Sequence, residues 1–233
     1  MVTKGIVYYT DNRCEERLMN VCRNQISKVF GGPIVSVSQY PINFGYNVVV
    51  DFPRETKSIF KQILVGLKNI DTEFVFLCEH DLLYSASHFE YESTKKDVFW
   101  YNRNRWSLCD KTGKALFYHT NVPSALYASR ELLISHYQKV VDFIEANGWR
   151  SRYGYSPPKG LPKELRIGRY KCWLSEQPII DIRRDDAFTR KRMNKKQFRS
   201  ERSCRGWTES DEVPYWGKTK GRFDDFIKEV SRL

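Results

Sequence analysis

The sequence predicts an α/β fold with a mixed central sheet, followed by a basic C-terminal extension. Its first 37 residues read as a strand, a helix and a second strand. Phe74–Cys78 is a continuous apolar run, which is typical of a strand buried on both faces of a parallel sheet. The net charge is +11, and nearly all of that excess lies after residue 149. A chain of 233 residues is long enough for one large domain with a buried core.

The N-terminal elements are the first strand, a helix and the second strand. Lys4–Thr10 is predicted to be a buried strand, and Asp11 and Asn12 mark the turn and a helix cap. From Glu15 onward, apolar residues recur at helical spacing until a Gly-Gly-Pro sequence ends the helix. Ile34–Val37 is the second strand.

The next segment leads the chain into the apolar run. Val48–Val50 fits either a strand or a loop. Lys57–Ile70 has the apolar spacing of an amphipathic helix. Arg54 and Lys57 lie at the start of this helix, where they face a bound diphosphate or simply form the basic end of a surface helix.

Four further features follow the apolar run. Asp110–Gly113 is a turn signal between two aromatic-rich segments, which predicts a hairpin. Ser129–Asn147 is predicted to be a long helix that stops at Gly148. Residues 149–169 are rich in Arg, Gly, Pro and Lys and are predicted to be a loop, and Ile179–Ile182 is predicted to be a strand.

Glu79, His80 and Asp81 directly follow the apolar run. In α/β sheets, ligands bind at the carboxyl ends of strands. Two carboxylates at such an edge suit a hard divalent ion that bridges a diphosphate. The alternative is a strand that simply ends in polar residues at the surface.

Several blocks resemble nucleotide-sugar-dependent glycosyltransferases of the GT-A fold. Glu79-His80-Asp81 is similar to their DxD-type motif, and its continuation through His88 and Phe89 resembles a small soluble phage and bacterial subgroup. Three other blocks look like the same subgroup: residues 100–106, 175–183 and 206–214. The resemblance spans roughly Lys4 to Gly217 and implies a GT-A-like fold with a Rossmann-like half, and sugar transfer from a nucleotide donor, with a UDP-sugar expected.

The resemblance also implies roles for individual residues of the donor site. Those expected to contact the donor are Thr10, Asp11, Asn12, Arg54, Lys57, Glu79, His80 and Arg184. Asp81 and Glu79 are the expected ligands of a divalent metal, Mn²⁺ or Mg²⁺. Similar proteins carry Asp-Ile-Arg-His-Gly after the last strand, and that His looks like a metal ligand. This chain has Arg184 and Asp185 instead, so Arg184 is an alternative partner for phosphate.

Sugar transfer also needs a base for the acceptor hydroxyl. Glu176 lies where the resemblance places an acceptor-side carboxylate, and Trp173 and Pro178 are expected to shield it from water. A partly buried carboxylate would have a raised pKa suited to accepting a proton. Asp186, with its neighbour Asp185, is the rival, and a plain surface carboxylate is the remaining interpretation of Glu176.

The C-terminal extension combines positive charge with aromatic residues. Residues 183–205 hold ten basic and three acidic residues. We predict a catalytic domain at 1–182 and a basic extension at 183–233 packed on it. A polyanion is the expected partner, and a hydroxymethylated pyrimidine in phage DNA is the favoured acceptor. The expected contacts are Arg190, Lys191, Arg192, Lys195, Lys196, Arg199, Phe198 and Trp207.

Two other functions fit the same composition. One is transfer to cell-surface glycan or lipid-linked acceptors at an anionic membrane, and the other is a non-catalytic nucleic-acid-binding protein. No segment approaches the length of an apolar membrane span, and no signal peptide is apparent. The six cysteines form no CxxC pair, which fits reduced thiols. The expected location is therefore the cytoplasm, of the host if the protein is encoded by a phage.

Overall fold

A computed structural model describes residues 2–149, 161–187, 191–198 and 200–232. The strands in chain order are β1 Lys4–Tyr9, β2 Ile34–Ser38, β3 Tyr46–Val49, β4 Phe74–Glu79, β5 Leu82–Leu83, β6 Val98–Asn102, β7 Arg105–Cys109, β8 Ala115–Phe117, β9 Leu126–Ser129, β10 Arg169–Trp173, β11 Ile179–Arg183, β12 Thr208–Ser210, β13 Glu212–Val213 and β14 Gly217–Lys218. The helices are α1 Glu16–Val29, α2 Thr56–Asn69, α3 Ala86–Phe89, α4 Arg130–Asn147 and α5 Phe223–Arg232.

The central sheet has the strand order β10-β6-β9-β4-β1-β2-β3. The four strands β3, β2, β1 and β4 run parallel, whereas β9 is antiparallel to both β4 and β6. The first half is therefore Rossmann-like and the whole sheet is mixed. This is the α/β architecture that the GT-A-like prediction requires, and the predicted fold class is confirmed.

The register of the parallel strands places their carboxyl ends at one level. Tyr9 lies opposite Val37 on one side and opposite Glu79 on the other. Residues that follow β1 and β4 therefore emerge side by side at the same edge of the sheet.

A second sheet has the order β12-β8-β7-β11-β5. Strand β5 begins at Leu82, one residue after Asp81, and pairs with β11 so that Leu82 lies opposite Asp181. The Ile182 backbone N–H also donates to the Asp81 carbonyl at 2.9 Å. The short turn after β4 therefore brings the end of β11 next to Glu79, His80 and Asp81.

The core lies on both faces of the central sheet. Alternate residues of β4 face opposite sides: Val75 and Leu77 pack with α2 and α4, whereas Phe74 and Phe76 belong to a cluster on the other face. This burial of both faces explains the continuous apolar run in the sequence.

The C-terminal segment shares a core with the N-terminal helix. Phe226 and Ile227 of α5 pack in one apolar cluster with Leu18 and Cys22 of α1. Trp216 belongs to this cluster, and its Nε1 donates to the Pro178 carbonyl at 2.8 Å. Strand β12 extends the second sheet along β8. Residues on both sides of position 182 therefore build the same core.

Most predicted elements are confirmed. The helices α2 and α4, the strands β1, β2, β4 and β11, and the hairpin of β7 and β8 lie where the sequence placed them. The segment around Val48 is a strand. The helix-cap interpretation of Asp11 and Asn12 is wrong, because α1 begins at Glu16. Residues 150–160 of the predicted loop lie outside the described part of the chain, and the loop ends where β10 begins, at Arg169.

Candidate active site

A pocket opens at the carboxyl ends of β1 and β4. The end of β1 contributes Thr10 and Asp11, and the turn after β4 contributes Glu79, His80 and Asp81. The start of α2 and the end of β11 form the remaining walls. Its position is the one where open α/β sheets bind their ligands.

Three carboxylates crowd the floor of this pocket. Glu79 ends β4, Asp81 lies in the tight turn, and Asp181 enters from the middle of β11. Burial raises the pKa of Glu79 well above its ordinary value, and the neighbouring Asp81 and Asp181 add to this shift. Burial also raises the pKa of Asp81, while His80 and the nearby arginines oppose the rise.

Hydrogen bonds hold the backbone of Glu79 in place. Its N–H donates to the Tyr84 hydroxyl at 3.1 Å, and that hydroxyl donates to the Ser124 carbonyl at 2.8 Å. Since Tyr84 is fully buried, the polar end of β4 is anchored to the core rather than projecting into solvent.

Arginines at the end of β11 oppose the carboxylates. Arg184 is buried, and its Nη1 donates to both carboxylate oxygens of Asp186 at 2.8 Å. Its Nη2 lies 3.9 Å from Asp81 Oδ2 and 3.4 Å from His80 Nε2. Arg183 Nη1 lies 3.4 Å from Asp181 Oδ1. The guanidinium groups of Arg183 and Arg184 therefore lie next to the carboxylates of Asp181 and Asp81.

Asp181 is held from behind by Arg105 of β7. The two side chains form an ion pair, and both are almost fully buried. Arg105 also donates to the Ser107 hydroxyl at 3.2 Å. Asp181 thus faces guanidinium groups on two sides.

The rim of the pocket is tied together by Arg54. Its Nε donates to Asp11 Oδ2 at 2.8 Å, and its Nη2 donates to the Asp186 carbonyl at 3.1 Å. Burial alone would raise the pKa of Asp11, but the hydrogen bond from Arg54 and nearby positive charge hold it below its ordinary value. Arg54 therefore connects the loop after β1 with the segment after β11 across the pocket.

Asn12 fixes a second loop beside the rim. Its backbone has a φ of +56°, a conformation that asparagine tolerates better than most residues. Its Oδ1 accepts hydrogen bonds from the backbone N–H groups of Gln39 at 2.8 Å and Tyr40 at 3.1 Å. Gln39 also lines the pocket, so Asn12 positions one wall from outside.

The structure brings most of the predicted donor contacts together. The predicted residues that line the pocket are Thr10, Asp11, Arg54, Glu79, His80, Asp81 and Arg184. Lys57 is not among the lining residues and forms an ion pair with Glu55 at 3.0 Å. Asp186 lies at the rim through Arg184 and Arg54.

Glu176 lies elsewhere. It is exposed in the segment between β10 and β11 and is not a lining residue, so the predicted shielding by Trp173 and Pro178 is wrong. The neighbouring Ser175 is buried. Its hydroxyl accepts a hydrogen bond from Asn102 Nδ2 and donates one to the Gln177 carbonyl. These bonds hold the backbone of this turn and leave the Glu176 side chain in solvent.

Asp181, Arg183, Gln39 and Gln62 are lining residues that the sequence interpretation missed. Asp181 carried a usable signal, because a single acid within an Ile-Ile-Asp-Ile strand is a buried charge that requires a partner. Gln62 gave no such signal. It donates from Nε2 to the Thr10 carbonyl at 2.8 Å, a contact made possible only by the packing of α2 against β1.

The predicted nucleic-acid contacts divide into internal and exposed side chains. Lys191 is mostly buried and pairs with Asp110 at 2.6 Å and Asp185 at 3.3 Å. Phe198 and Trp207 pack on Tyr118, with ring centroids 5.0 and 5.7 Å from its ring.

Arg192, Lys195 and Lys196 are exposed. Arg190 and Arg199 lie outside the described residues.

Both predicted metal ligands, Glu79 and Asp81, line the pocket, and arginines also approach its carboxylates. Within residues 2–149, 161–187, 191–198 and 200–232, no group of three or more His, Cys, Asp or Glu side chains is arranged to hold a metal. Asp81 faces Arg184 and Asp181 faces Arg105, so two of the three carboxylates already have cationic neighbours.

Comparison with known proteins adds little to this geometry. No protein family and no curated protein matches the chain. Among solved structures, the apo form of the glycosyltransferase GlyE from Streptococcus pneumoniae TIGR4 is 10% identical, with a TM-score of 0.40 over 63% of this chain and 39% of that one. A second GlyE structure is 11% identical, with a TM-score of 0.40 over 63% of this chain and 40% of its own.

S. aureus TarS is 11% identical, with a TM-score of 0.38 over 77% of this chain and 36% of its own. This chain therefore matches only about two fifths of each of these structures. Similarity this weak carries no argument about function, which depends on the pocket itself. In the part of the chain that the structure describes, no helix combines the length and the apolar character needed to cross a membrane.

Proposed function

We propose that this chain is a glycosyltransferase that moves a sugar from a nucleotide-sugar donor, a UDP-sugar in the first instance, to a hydroxyl group. The observation that carries the proposal is the convergence of Glu79, Asp81 and Arg184 in one pocket at the carboxyl ends of parallel strands. A diphosphate leaving group needs positive charge, and an attacking hydroxyl needs a proton acceptor. Both kinds of group are present in this pocket.

The proposed donor orientation follows from the charges. The nucleoside lies toward Thr10, Asp11 and Gln39, which the strands β1 and β2 present. The diphosphate lies toward Arg184, because a guanidinium pairs with phosphate oxygens through two parallel hydrogen bonds. The sugar then lies at the mouth, where an acceptor can approach it.

In the transfer step, the acceptor oxygen bonds to the anomeric carbon. The bond from that carbon to the β-phosphate oxygen breaks, and the electron pair leaves with the nucleoside diphosphate. The hydroxyl proton passes to a carboxylate. Of the two carboxylates predicted for this role, we favour Asp186 over Glu176 on position alone, because Asp186 lies at the rim of the pocket and its side chain remains 63% exposed.

The proposed acceptor is a polyanion, namely DNA that carries hydroxymethylated pyrimidines. Its support is the position of the basic segment: Asp185, one residue after Arg184, pairs with Lys191, and Arg192, Lys195 and Lys196 follow on the surface. Lys191 therefore links the start of this basic segment to the residue that follows Arg184. Transfer to lipid-linked acceptors at an anionic membrane is the competing outcome that the acceptor experiment distinguishes.

The test of the donor site is release of nucleoside diphosphate from a panel of nucleotide sugars, with and without acceptor. We expect Asp81→Asn to reduce turnover by about 100-fold, because Asp81 lies beside Arg184 and His80 and its loss would misplace the groups that hold the diphosphate. Asp97→Asn is the matched control, because Asp97 is exposed and precedes β6 at the opposite edge of the sheet. Asp186→Asn and Glu176→Gln are compared in both turnover and UDP binding, because loss of the base lowers turnover alone whereas loss of the Arg184 anchor also weakens binding.

Two outcomes would count against the proposal. If the unaltered protein neither binds nor consumes any nucleotide sugar, the glycosyltransferase assignment fails. If it consumes a donor and Asp81→Asn does so equally well, the activity lies outside this pocket.

A further inference from the structure

Arg184 is a buried cation in the wall of the pocket. It is 6% exposed, and it lines the pocket beside Asp81 and His80. Its close ion pair is with Asp186, whereas Asp81 lies at 3.9 Å, beyond hydrogen-bonding distance. The guanidinium is therefore held closely by Asp186, whereas its contact with Asp81 is a longer one.

The anchor sets the orientation of this guanidinium. Both Asp186 oxygens accept from the same nitrogen, Nη1, at 2.8 Å, and Arg54 holds the Asp186 carbonyl at 3.1 Å. Nη2 is the nitrogen that points toward Asp81 and His80. Because Asp186 is itself tied to the rim, Arg184 cannot move away without breaking the contacts that hold the segment after β11.

The surrounding groups suit a fixed organic cation better than a metal ion. The His80 Nε2 atom, which would be a metal ligand, faces the Arg184 Nη2 atom at 3.4 Å. Asp181 is engaged by Arg105 and Arg183. A divalent ion at Asp81 would have to displace Arg184 or share Asp81 with it, and like charges in a buried site repel strongly.

We propose that Arg184 takes the place of a divalent ion, so that this protein binds the diphosphate of its donor without a metal. The inference rests on the proposed glycosyltransferase function and specifies how that site neutralises phosphate. The guanidinium is charged at every physiological pH, and it offers paired donors to phosphate oxygens. The same guanidinium then neutralises the charge that develops on the nucleoside diphosphate as it leaves.

Calorimetric titration with UDP and with pyrophosphate, each in EDTA and in excess Mn²⁺ or Mg²⁺, tests this inference. Pyrophosphate reports on the phosphate site when the protein prefers another nucleoside, and ADP and GDP extend the panel. We expect the dissociation constant to change by less than about twofold between EDTA and metal. Arg184→Gln should weaken binding by about tenfold or more, the loss typical of a charged hydrogen bond.

Matched variants keep the result interpretable. Arg17→Gln removes an exposed arginine of α1 that pairs with Asp224, and it should bind UDP normally. Arg184→His places an imidazole beside Asp81 and His80, and it should make binding tighter in Mn²⁺ than in EDTA. This gain of metal dependence is a signal that a merely destabilised protein would not give, and thermal unfolding confirms that each variant is folded.

The two proposals fail in different ways. Binding of the unaltered protein that disappears in EDTA and returns with Mn²⁺ overturns the arginine inference and leaves the glycosyltransferase proposal standing. Equal binding by Arg184→Gln and the unaltered protein also overturns it. Absence of binding by every nucleoside diphosphate in both conditions, together with no donor consumption, overturns the proposed function instead.

Discussion

Asp181 shows at the level of one residue how this fold accommodates a buried charge. Its side chain is 7% exposed, and its ion-pair partner Arg105 is 3% exposed. Removing two charges from water costs several kcal/mol per ion, so such a pair persists only with close mutual contact. Arg183 adds a second guanidinium on the pocket side. The pair therefore links the core of the second sheet to the floor of the pocket.

We expect Arg105→Met to lower the free energy of unfolding by about 3–5 kcal/mol, because it leaves the Asp181 carboxylate buried without its main partner. The double variant Arg105→Met with Asp181→Leu should recover part of that loss, since neither charge then remains buried. Urea denaturation of the single and double variants measures both effects.

The control for this pair is Arg169→Met, which removes the exposed ion pair with Asp97. It should cost at most about 1 kcal/mol. A double variant that is no more stable than Arg105→Met alone would show that the ion pair is not the source of the loss.

At the scale of elements, the sequence predicted the helices and strands whose residue pattern is local to one segment. Strand β4 and the helices α2 and α4 are confirmed, because each carries its apolar period within one continuous segment. The pairing of β11 with β7 and β5 was not predicted. It joins segments about 75 and 100 residues apart, and no local pattern specifies such pairing.

The candidate site likewise contains residues that local sequence predicted and residues whose roles depend on tertiary packing. The cluster at Glu79–Asp81 was predicted, because it directly follows the strand that positions it. The roles of Asp181 and Gln62 depend on which elements pack together, and the exposure of Glu176 depends on hydrogen bonds of its neighbours to distant segments. Arg184 was recognised as a departure from a motif, and its partners became visible only in three dimensions.

The helix α5 is predicted to stabilise the whole fold rather than only the C-terminal end. Phe226 is 1% exposed and packs in the cluster that includes Leu18 of α1. Phe226→Ala should lower the free energy of unfolding by about 3–5 kcal/mol, because it leaves a cavity in a shared core. Lys228→Ala, at an exposed position of the same helix, is the control.

Urea denaturation followed by two probes distinguishes a shared core from a separable extension. If α5 and the central sheet belong to one cooperative fold, Phe226→Ala shifts one transition that both probes report. Two transitions, of which only one responds to Phe226→Ala, would contradict a shared core.

At the scale of the whole molecule, the distribution of charge separates the two ends of the chain. The net charge is +11, and the first 149 residues contribute almost none of it. Several basic side chains near the pocket are used internally, as the pairing of Lys191 with Asp110 shows. The remaining exposed positive charge therefore determines whether the surface beside the pocket attracts a polyanion.

We expect duplex DNA binding to weaken with salt, because each neutralised phosphate releases condensed counterions and contributes about 0.9 to the log–log slope. Replacing Arg192, Lys195 and Lys196 by Gln should then reduce that slope by about 3. The control replaces three exposed lysines elsewhere, Lys28, Lys95 and Lys228, and lowers the net charge equally. Equal slopes for the two triple variants would mean that binding follows net charge alone.

The acceptor class is decided by transfer rather than by binding. Labelled sugar should appear in DNA that contains 5-hydroxymethylpyrimidines and not in unmodified DNA, because only the former offers the hydroxyl on the base. An enzyme that acts on a base must take it out of the helix, so single-stranded DNA should react at least as fast as duplex. Vesicles with lipid-linked acceptors are included in parallel. Label that appears only in the lipid fraction would reject DNA as the acceptor. It would not affect the proposals for the donor site and for Arg184.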